Sequence, residues 1–574
     1  VKVLGLKVIG HDTGAAIVDD SDGVVKLMAI SEERLNRVKH TTKFPIFAIG
    51  TCLEQAGIGI DDLDAIVFNH RRNVYKLQTF FDFKSEFDSS RYDSYIGKSF
   101  KWPDKKVHII NHHDCHGASA YFCSPFDKAT ILVVDASGNE GESQSIYAAE
   151  GSDFNLLDRS YKRGIGALYE AVTNNILGFK GTGSAGKTMG LSAYGGKYSE
   201  NDLSNKLQAV RSGIDLNYNH ILDETDTEFL LKTEVKICDN KQDILNSIYS
   251  RVAFDIQKEA ERQMLYLVNL AWEMNPCENL CIAGGVGLNC VANEKIKRYS
   301  KFKNIWIQPA SDDSGIPLGA ALYGYNKILK SSSRYRMKSA AIGFSYTKVE
   351  IQNLLDRFNI NYIEITNKEL ADKISKGDIV GWFTGSSEYG PRALGFRSIL
   401  CDPRKIENKD ILNKRVKHRE IFRPFAPVVK LDKANRFFDV NDTSPFMLFA
   451  KNVIEEVKTQ IPAVVHFDGT ARIQTVDKND NSLLYDLLDE FEKITNVPVL
   501  LNTSFNDNQE PIVESPLDAL ICFYTTELDG LYLQGYYVKK EDNVDILDKL
   551  KNYKKSLLIQ NKYDFINKYC YIED

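Results

Sequence analysis

Two stretches of this chain repeat one plan: an apolar strand, an acidic-glycine turn, then a second strand. The first runs through residues 3–9, then Gly10-His11-Asp12-Thr13-Gly14, then residues 15–18 and 24–30 around Asp20-Ser21-Asp22-Gly23. The second runs through residues 129–134, then Asp135-Ala136-Ser137-Gly138, then residues 143–149. Apolar runs of this length bounded by turn residues read as strands, and such a turn between two of them reads as a hairpin. A plan that occurs twice predicts a duplicated α/β fold. Residues 46–56, 248–275 and 316–329 have helical spacing, and residues 65–68 and 279–283 are further strands.

The chain turns polar near residues 331–338. The expected organisation is therefore a two-lobed unit over residues 1–345 and a second α/β unit over residues 346–574, ending in a Lys- and Tyr-rich tail. Short apolar strands at 379–383, 425–429 and 497–501 anchor the second unit. Residues 80–102, aromatic and charged, read as an inserted flap or partner surface. Ten scattered cysteines without a CxxC pair suggest neither a disulfide framework nor a zinc ribbon. Apolar stretches fall far short of the ~20 residues of a membrane helix. No signal-like segment opens the chain, so a cytoplasmic protein is expected.

Four of the ten histidines lie between His108 and His116. His112 and His116 are i and i+4 on an expected helix, which puts both rings on one face. Two such rings suit one metal ion. Asp135 and Asp313, each where a strand or turn gives way to glycine, are candidates to complete the set. Two nitrogens and two carboxylates with an open position favour Fe(II), Mn(II) or Zn(II). Two histidines that merely cap and pack a helix are the alternative. His113 is expected to point away from the pair.

Glycines at 138, 181, 183, 186, 190, 284, 285 and 287 sit where strands or loops enter helices. Backbone amides there can cradle phosphate. Acidic-glycine hairpins with a later Gly284-Gly285-x-x-x-Asn289 fit the actin-like ATPase fold, in which two related lobes clasp a nucleotide. Residues 181–188 match both GxxxxGK[ST] and GxGxxG. Either motif needs a strand before it and a helix after it. Here residues 167–177 have helical spacing, and Gly190, Gly195 and Gly196 would break a helix. Lys187 stays a phosphate-binding or loop-bridging candidate, with a solvated surface lysine as the alternative.

Arg392, Arg397, Arg404, Lys405, Lys414, Arg415, Lys417, His418, Arg419 and Arg423 crowd one stretch, between Gly390-Pro391 and Pro424-Phe425-Ala426-Pro427. Prolines and aromatics among arginines suggest a shaped pocket for a compact anion. Arg472 and Asn502 add donors. A structural or nucleic-acid patch is the alternative, and the net charge of -6 weighs against the latter.

Together these residues resemble one family. The chain is similar to the O-carbamoyltransferases of the nodulation-factor and aminoglycoside type. In these the first domain is actin-like and resembles TsaD of tRNA threonylcarbamoylation, and the second resembles YrdC. The matching stretches are Gly10-His11-Asp12; Glu32-Glu33-Arg34 with Arg37, Lys39, His40, Phe44 and Pro45; and residues 111–116, 186–191, 284–289, 388–400, 417–420, 422–427 and 501–506. The resemblance implies a metal set of His112, His116, Asp135 and Asp313, with iron in relatives. Asp313 is preferred over Asp312 by the Asp-x-Gly pattern before Gly319-Ala320-Ala321. It implies nucleotide contacts from Gly138, Lys187, Gly284, Gly285 and Asn289. It implies a carbamoyl phosphate pocket of Arg392, Lys417, Arg419, Arg423, Arg472 and Asn502. The turn after Asp135 departs from the family's compact Asp-Gly-x-Gly-Glu, which bears on Gly138.

The activity so implied uses ATP with Mg, carbamoyl phosphate and a small-molecule hydroxyl acceptor. Carbamate from carbamoyl phosphate would attack the α-phosphate of ATP, and the acceptor would then attack the carbamoyl adenylate. His11 or Asp12 would position the acceptor or take its proton; a turn acid beside a buried histidine is the alternative. No nucleic acid and no membrane are expected, and a homodimer is the expected assembly. A TsaD-like tRNA enzyme and a non-catalytic actin-like ATPase switch are the competing readings.

Overall fold

The computed structural model describes residues 1–69, 100–102, 106–195, 248–540 and 544–570. The first sheet comprises β1 (Lys2–Lys7), β2 (Gly14–Asp19), β3 (Lys26–Ser31), β4 (Ala65–Asn69) and β5 (Val107–Ile110), in the order β3-β2-β1-β4-β5. The second comprises β6 (Lys128–Val134), β7 (Gln144–Glu150), β8 (Asp153–Ser160), β9 (Asn279–Ala283) and β10 (Asn304–Ile307), in the order β10-β9-β6-β7-β8. In each, the first three strands pair antiparallel as a meander, and the last two add parallel on the other side of the first strand. The two sheets thus share one topology, which is the duplicated actin-like α/β plan expected from the repeat.

Helices His112–Cys123 and Ile316–Leu322 lie between these sheets and are buried all round. A helix without a polar face must sit in a core, and small residues let it sit close. Gly319 approaches the Cys115 carbonyl so closely that any β-carbon would overlap it, and Gly5 of β1 does the same against Pro317 and Ala321. These contacts bring the ends of the two helices to the ends of β1 and β6.

A third sheet joins β11 (Ile363–Glu364), β12 (Val380–Phe383), β13 (Arg397–Cys401), β14 (Ala426–Lys430), β17 (Gln474–Val476), β18 (Val499–Ser504), β19 (Gly530–Leu533) and β20 (Tyr536–Lys539), in the order β11-β20-β19-β12-β13-β18-β14-β17. A ribbon of β15 (Ala450–Asn452) and β16 (Thr470–Arg472) sits beside it. Alternation divides its strands between two cores. Val380, Trp382 and Leu400 face helices Asn367–Ser375 and Ser482–Thr495, whereas Phe383, Ile399 and Cys401 face helices Lys348–Arg357 and Pro516–Thr525.

The third sheet is packed against the first part of the chain. Leu394, Phe422 and Phe446 share one apolar cluster with Leu191, Ile256 and Ile282. Arg34 donates to the carbonyls of Glu388 and Gly390, and Arg37 to those of Pro511 and Ile512. The tail is helix Val544–Tyr569, which covers the first sheet's cluster with Phe565 stacked on Phe100. The flap expected at residues 80–102 lies outside the described residues except for its last three, of which Phe100 and Trp102 are buried under this helix. No described helix is long and apolar enough to cross a membrane.

Candidate active site

The end of β6 and the start of helix His112–Cys123 meet the turn before helix Ile316–Leu322. Nε2 of His112 and Nε2 of His116 are 3.1 Å apart. Asp135 Oδ2 lies 3.3 Å from the first and 3.2 Å from the second, and Asp313 Oδ1 lies 3.3 and 3.5 Å away. Four donor atoms therefore converge within 4.8 Å, two nitrogens and two carboxylate oxygens, which fits a divalent ion. Burial opposes charge on Asp135, but hydrogen bonds from both histidines outweigh it and hold the carboxyl far below the usual range. Burial likewise opposes charge on His112, yet Asp313 and Asp135 raise it to about 9. Lys7 steadies Asp313 at 2.6 Å. Asp312 turns aside to accept from Ser314 N. His113 also turns away, 2.8 Å from Ser145 Oγ.

Asn111 starts the histidine helix by accepting from His113 N. Its amide is held by Glu142 at 2.9 Å and Glu140 at 3.2 Å, both from the turn after Asp135. The Glu142 side chain fills the space beside Gly138, where a β-carbon would collide with it. That turn thus braces the helix, a role the sequence reading did not assign to Glu142.

His11 and Asp12 close β1's turn beside this cluster. Asp12 has φ +59, a left-handed conformation that a hydrogen-bonding side chain tolerates. Its Oδ2 is 2.7 Å from His11 Nδ1, and its Oδ1 is 2.7 Å from His40 Nδ1. The Asp12 hydrogen bond raises the His11 pKa against the pull of burial. His11 Nε2 lies 3.8 Å from Asp313 Oδ2, and the side chain is 45% exposed. His40 was matched in sequence but given no role there. It receives its backbone anchor from Glu33 at 2.7 Å, and a β-carbon on Gly183 would lie 3.2 Å from its Nε2.

The glycine turns reach this group at two points, Gly183 beside His40 and Gly285 beside Asp135. The stretch before Gly181 is helix Ile165–Ala171 with a π-turn to Ile176, so the strand required by a Walker or dinucleotide loop is absent there. A helix does follow, Ala185–Ser192, despite Gly186 and Gly190. The expectation of a broken helix is corrected by packing: Thr188 bonds Thr173 at 2.8 Å, Leu191 is fully buried, and a β-carbon on Gly190 would just touch Pro424 at 3.4 Å. Gly284 has φ +88 and lies on the Val134 backbone, a position closed to a side chain. A β-carbon on Gly285 would lie 3.3 Å from Asp135 Oδ1. Asn289 caps helix Cys290–Tyr299 and pairs its amide with Gln257.

The basic stretch divides in the folded chain. Arg397 is caged by the carbonyls of Thr384, Phe344 and Glu514; Arg404 pairs with Asp402; Arg415 pairs with Asp529. These three are structural. Lys417 Nζ is committed to Ser504 O and to both oxygens of Asn506. Arg392, Arg419, Arg423 and Arg472 stay close enough to repel one another, and Lys39 feels both Arg423 and Lys187, so these cations form one cluster, the lining of a candidate cleft. Burial depresses each of the four guanidinium groups, and their mutual repulsion adds to it for Arg392, Arg419 and Arg472. The Nε groups of Arg392, Arg419 and Arg472 are buried with no acceptor. The cleft touches the glycine turns: Arg392 donates 3.2 Å to Leu288 O, and Lys187 meets Glu420 at 2.9 Å. Asn502 lies in the neighbouring strand, β18, and its Oδ1 is unpartnered.

The family model described as "Carbamoyltransferase N-terminus" matches residues 2–99 and 89–322, and "Carbamoyltransferase C-terminus" matches residues 371–540. "Nodulation protein NolNO" of Sinorhizobium fredii is 34% identical, over 92% of this chain and 79% of that protein. "Uncharacterized protein sll1178" of Synechocystis sp. is 35% identical, over 94% of this chain and 96% of that protein. Among solved structures, component A of the Acidaminococcus fermentans (R)-2-hydroxyglutaryl-CoA dehydratase covers 56% of this chain and 97% of its own, at 16% identity and TM-score 0.32. With both family models matched in order along the chain, this protein belongs to the carbamoyltransferase family and is a carbamoyltransferase enzyme.

Proposed function

We propose that the enzyme moves a carbamoyl group from carbamoyl phosphate, through carbamoyl adenylate made with ATP, to a hydroxyl of a small natural product or sugar. The observation that carries this reading is the set of three buried, acceptor-less guanidinium Nε groups in a cleft that also holds the glycine turns. Buried donors without acceptors call for an anion, and planar arginine donors suit phosphoryl oxygens.

In the first step, Arg392, Arg419, Arg423 and Arg472 bind carbamoyl phosphate, one water adds to it, and they stabilise the inorganic phosphate that leaves as carbamate forms. Carbamate oxygen then attacks the α-phosphorus of ATP, releasing pyrophosphate. Cations aimed at developing oxyanions supply much of such acceleration. Carbamate decomposes in bulk water, so this chemistry needs a sheltered pocket. In the second step, the acceptor oxygen attacks the carbamoyl carbon and AMP leaves. His11, oriented through Nδ1 by Asp12, accepts the hydroxyl proton at Nε2. His112, His116, Asp135 and Asp313 hold a divalent metal, Fe(II) first among candidates, which as a Lewis acid would favour charge on a nearby oxygen.

Radiolabelled carbamoyl phosphate, ATP and a library of hydroxyl compounds test this reading. Label in an acceptor, with pyrophosphate release that depends on carbamoyl phosphate, is the expected result. ADP formation without that dependence would support an ATPase switch instead. Salt-dependent tRNA binding with label in RNA would support the tRNA reading.

A further inference from the structure

The steps above leave one buried chain of amides unused. Gln474 and Asn502 are 3% and 1% exposed. Gln474 Nε2 donates to Leu394 O at 2.8 Å. Asn502 Nδ2 donates to Gln474 Oε1 at 2.8 Å and to Ala393 O at 3.3 Å. A backbone carbonyl can only accept, so both amides have one chemically permitted orientation. The order runs one way, from the Leu394 carbonyl through Gln474 to Asn502. It leaves Asn502 Oδ1 buried, as an acceptor without a donor.

The surroundings are the reverse. Arg392 directly precedes Ala393, whose carbonyl holds Asn502. Arg472 lies two residues before Gln474. Ala426, the strand partner of Asn502, follows Phe425, whose ring carries the Arg419 guanidinium at 4.4 Å. Arg392, Arg419 and Arg472 present donors without acceptors, and Asn502 presents an acceptor without a donor. A ligand that satisfies both has an anionic end and an N–H end. Carbamoyl phosphate carries an amino group on the carbon next to its phosphoryl oxygen. Acetyl phosphate has the same size and charge, with a methyl group in that place.

We propose that Gln474 is a positioning residue that sets specificity: it locks the Asn502 amide so that Oδ1 accepts from the carbamoyl amino group, and acetyl phosphate is rejected. This rests on the carbamoyl phosphate reading above. A methyl group against Oδ1 would leave a buried acceptor unpaired, whereas an amino group satisfies it. Without Gln474 the Asn502 amide keeps only its longer 3.3 Å bond to the Ala393 carbonyl, and it can then turn over and offer its nitrogen instead.

The test compares phosphate release from carbamoyl phosphate and acetyl phosphate, with ATP, in the full chain. The wild type is expected to prefer carbamoyl phosphate by roughly a hundredfold or more in kcat/KM, the scale of discrimination by a buried polar contact. Gln474→Met is expected to lower that ratio about tenfold, while competitive inhibition by inorganic phosphate stays within about twofold. Asn502→Leu, which removes the acceptor itself, is expected to lower the ratio as well, and reports on the idea if Gln474→Met does not fold. A folded variant of either kind that keeps the wild-type ratio overturns the inference. So does an equal loss for both substrates together with lost phosphate inhibition, which is the mark of a merely structural role. A wild type that consumes acetyl phosphate as readily as carbamoyl phosphate overturns the inference alone. A wild type that consumes neither overturns the carbamoyl phosphate reading and this inference with it.

Discussion

Asp12 and His40 are joined by a 2.7 Å hydrogen bond between Oδ1 and Nδ1, and the other oxygen of Asp12 holds His11. One carboxylate thus orients two imidazoles, His11 facing Asp313 and His40 facing the glycine loop at Gly183. A histidine serves as a base only when a partner fixes which nitrogen is free.

His40→Ala is therefore expected to slow carbamoyl transfer to the acceptor by roughly tenfold or more, the low end of what proton transfer contributes. Pyrophosphate release dependent on carbamoyl phosphate should persist. His40→Asn, whose amide N–H can reach the Nδ1 position, should recover much of the transfer rate. Single-turnover assays of each step read this directly. Equal loss of both steps would point to a folding defect and not to orientation of Asp12.

His116→Ala removes one of the four converging donors while the turn glycines and arginines stay in place. Purified protein should lose its bound metal by elemental analysis. Transfer should be abolished, and phosphate release from carbamoyl phosphate should continue. Loss of both activities would mean that the two steps share the metal.

Glu420 is the carboxylate between Lys187 and Arg423, 2.9 and 3.8 Å away. It competes with an incoming anion for both. Glu420→Gln should bind inorganic phosphate roughly two- to fivefold tighter by calorimetry, the scale of a partly exposed ion pair. The gain should shrink at high salt. Weaker binding would instead mark Glu420 as the residue that holds the two cations in place.

His466 supplies a pH dependence. Burial, with help from Arg472 and Lys409, depresses its pKa from 6.5 to about 4 against the attraction of Asp468. Between those values the unfolded chain takes a proton that the folded one does not. Stability should therefore fall as pH drops from 6.5 towards 4, by about 1.4 kcal/mol per unit, and the effect should level off below 4. In His466→Gln this component is absent. Thermal melts from pH 7.5 to 4.5 should show a shallower acid limb for the variant, and parallel curves would refute the assignment.

Much of the architecture was legible in the chain. The strand runs at residues 65–68, 129–134 and 279–283 appear as β4, β6 and β9, because apolar runs between turn residues have few local conformations open to them. The pairing of His112 with His116 follows from helical spacing alone. Helix Ala185–Ser192 was not legible, because what anchors it is tertiary: Thr188 bonds Thr173 of the preceding turn, and Leu191 is buried in the cluster that Phe422 and Leu394 share.

By itself the sequence determined the duplicated strand order, the family and the residue types available for chemistry, since these depend on local sterics and on motifs in order. The tertiary structure decided which arginines face the cleft. Arg397, Arg404 and Arg415 are the same residue type as Arg392, Arg419 and Arg472, but the fold delivers carbonyls or carboxylates to the first three and leaves a buried nitrogen of each of the others without one. The same holds for Asn502. Its free oxygen is set by Gln474 and the Ala393 carbonyl, partners that only the packing of β17, β18 and the loop before β13 brings within reach. Hydrogen-bond partnership depends on direction and on distances of about 3 Å, so it is settled by the assembled structure and not by spacing along the chain.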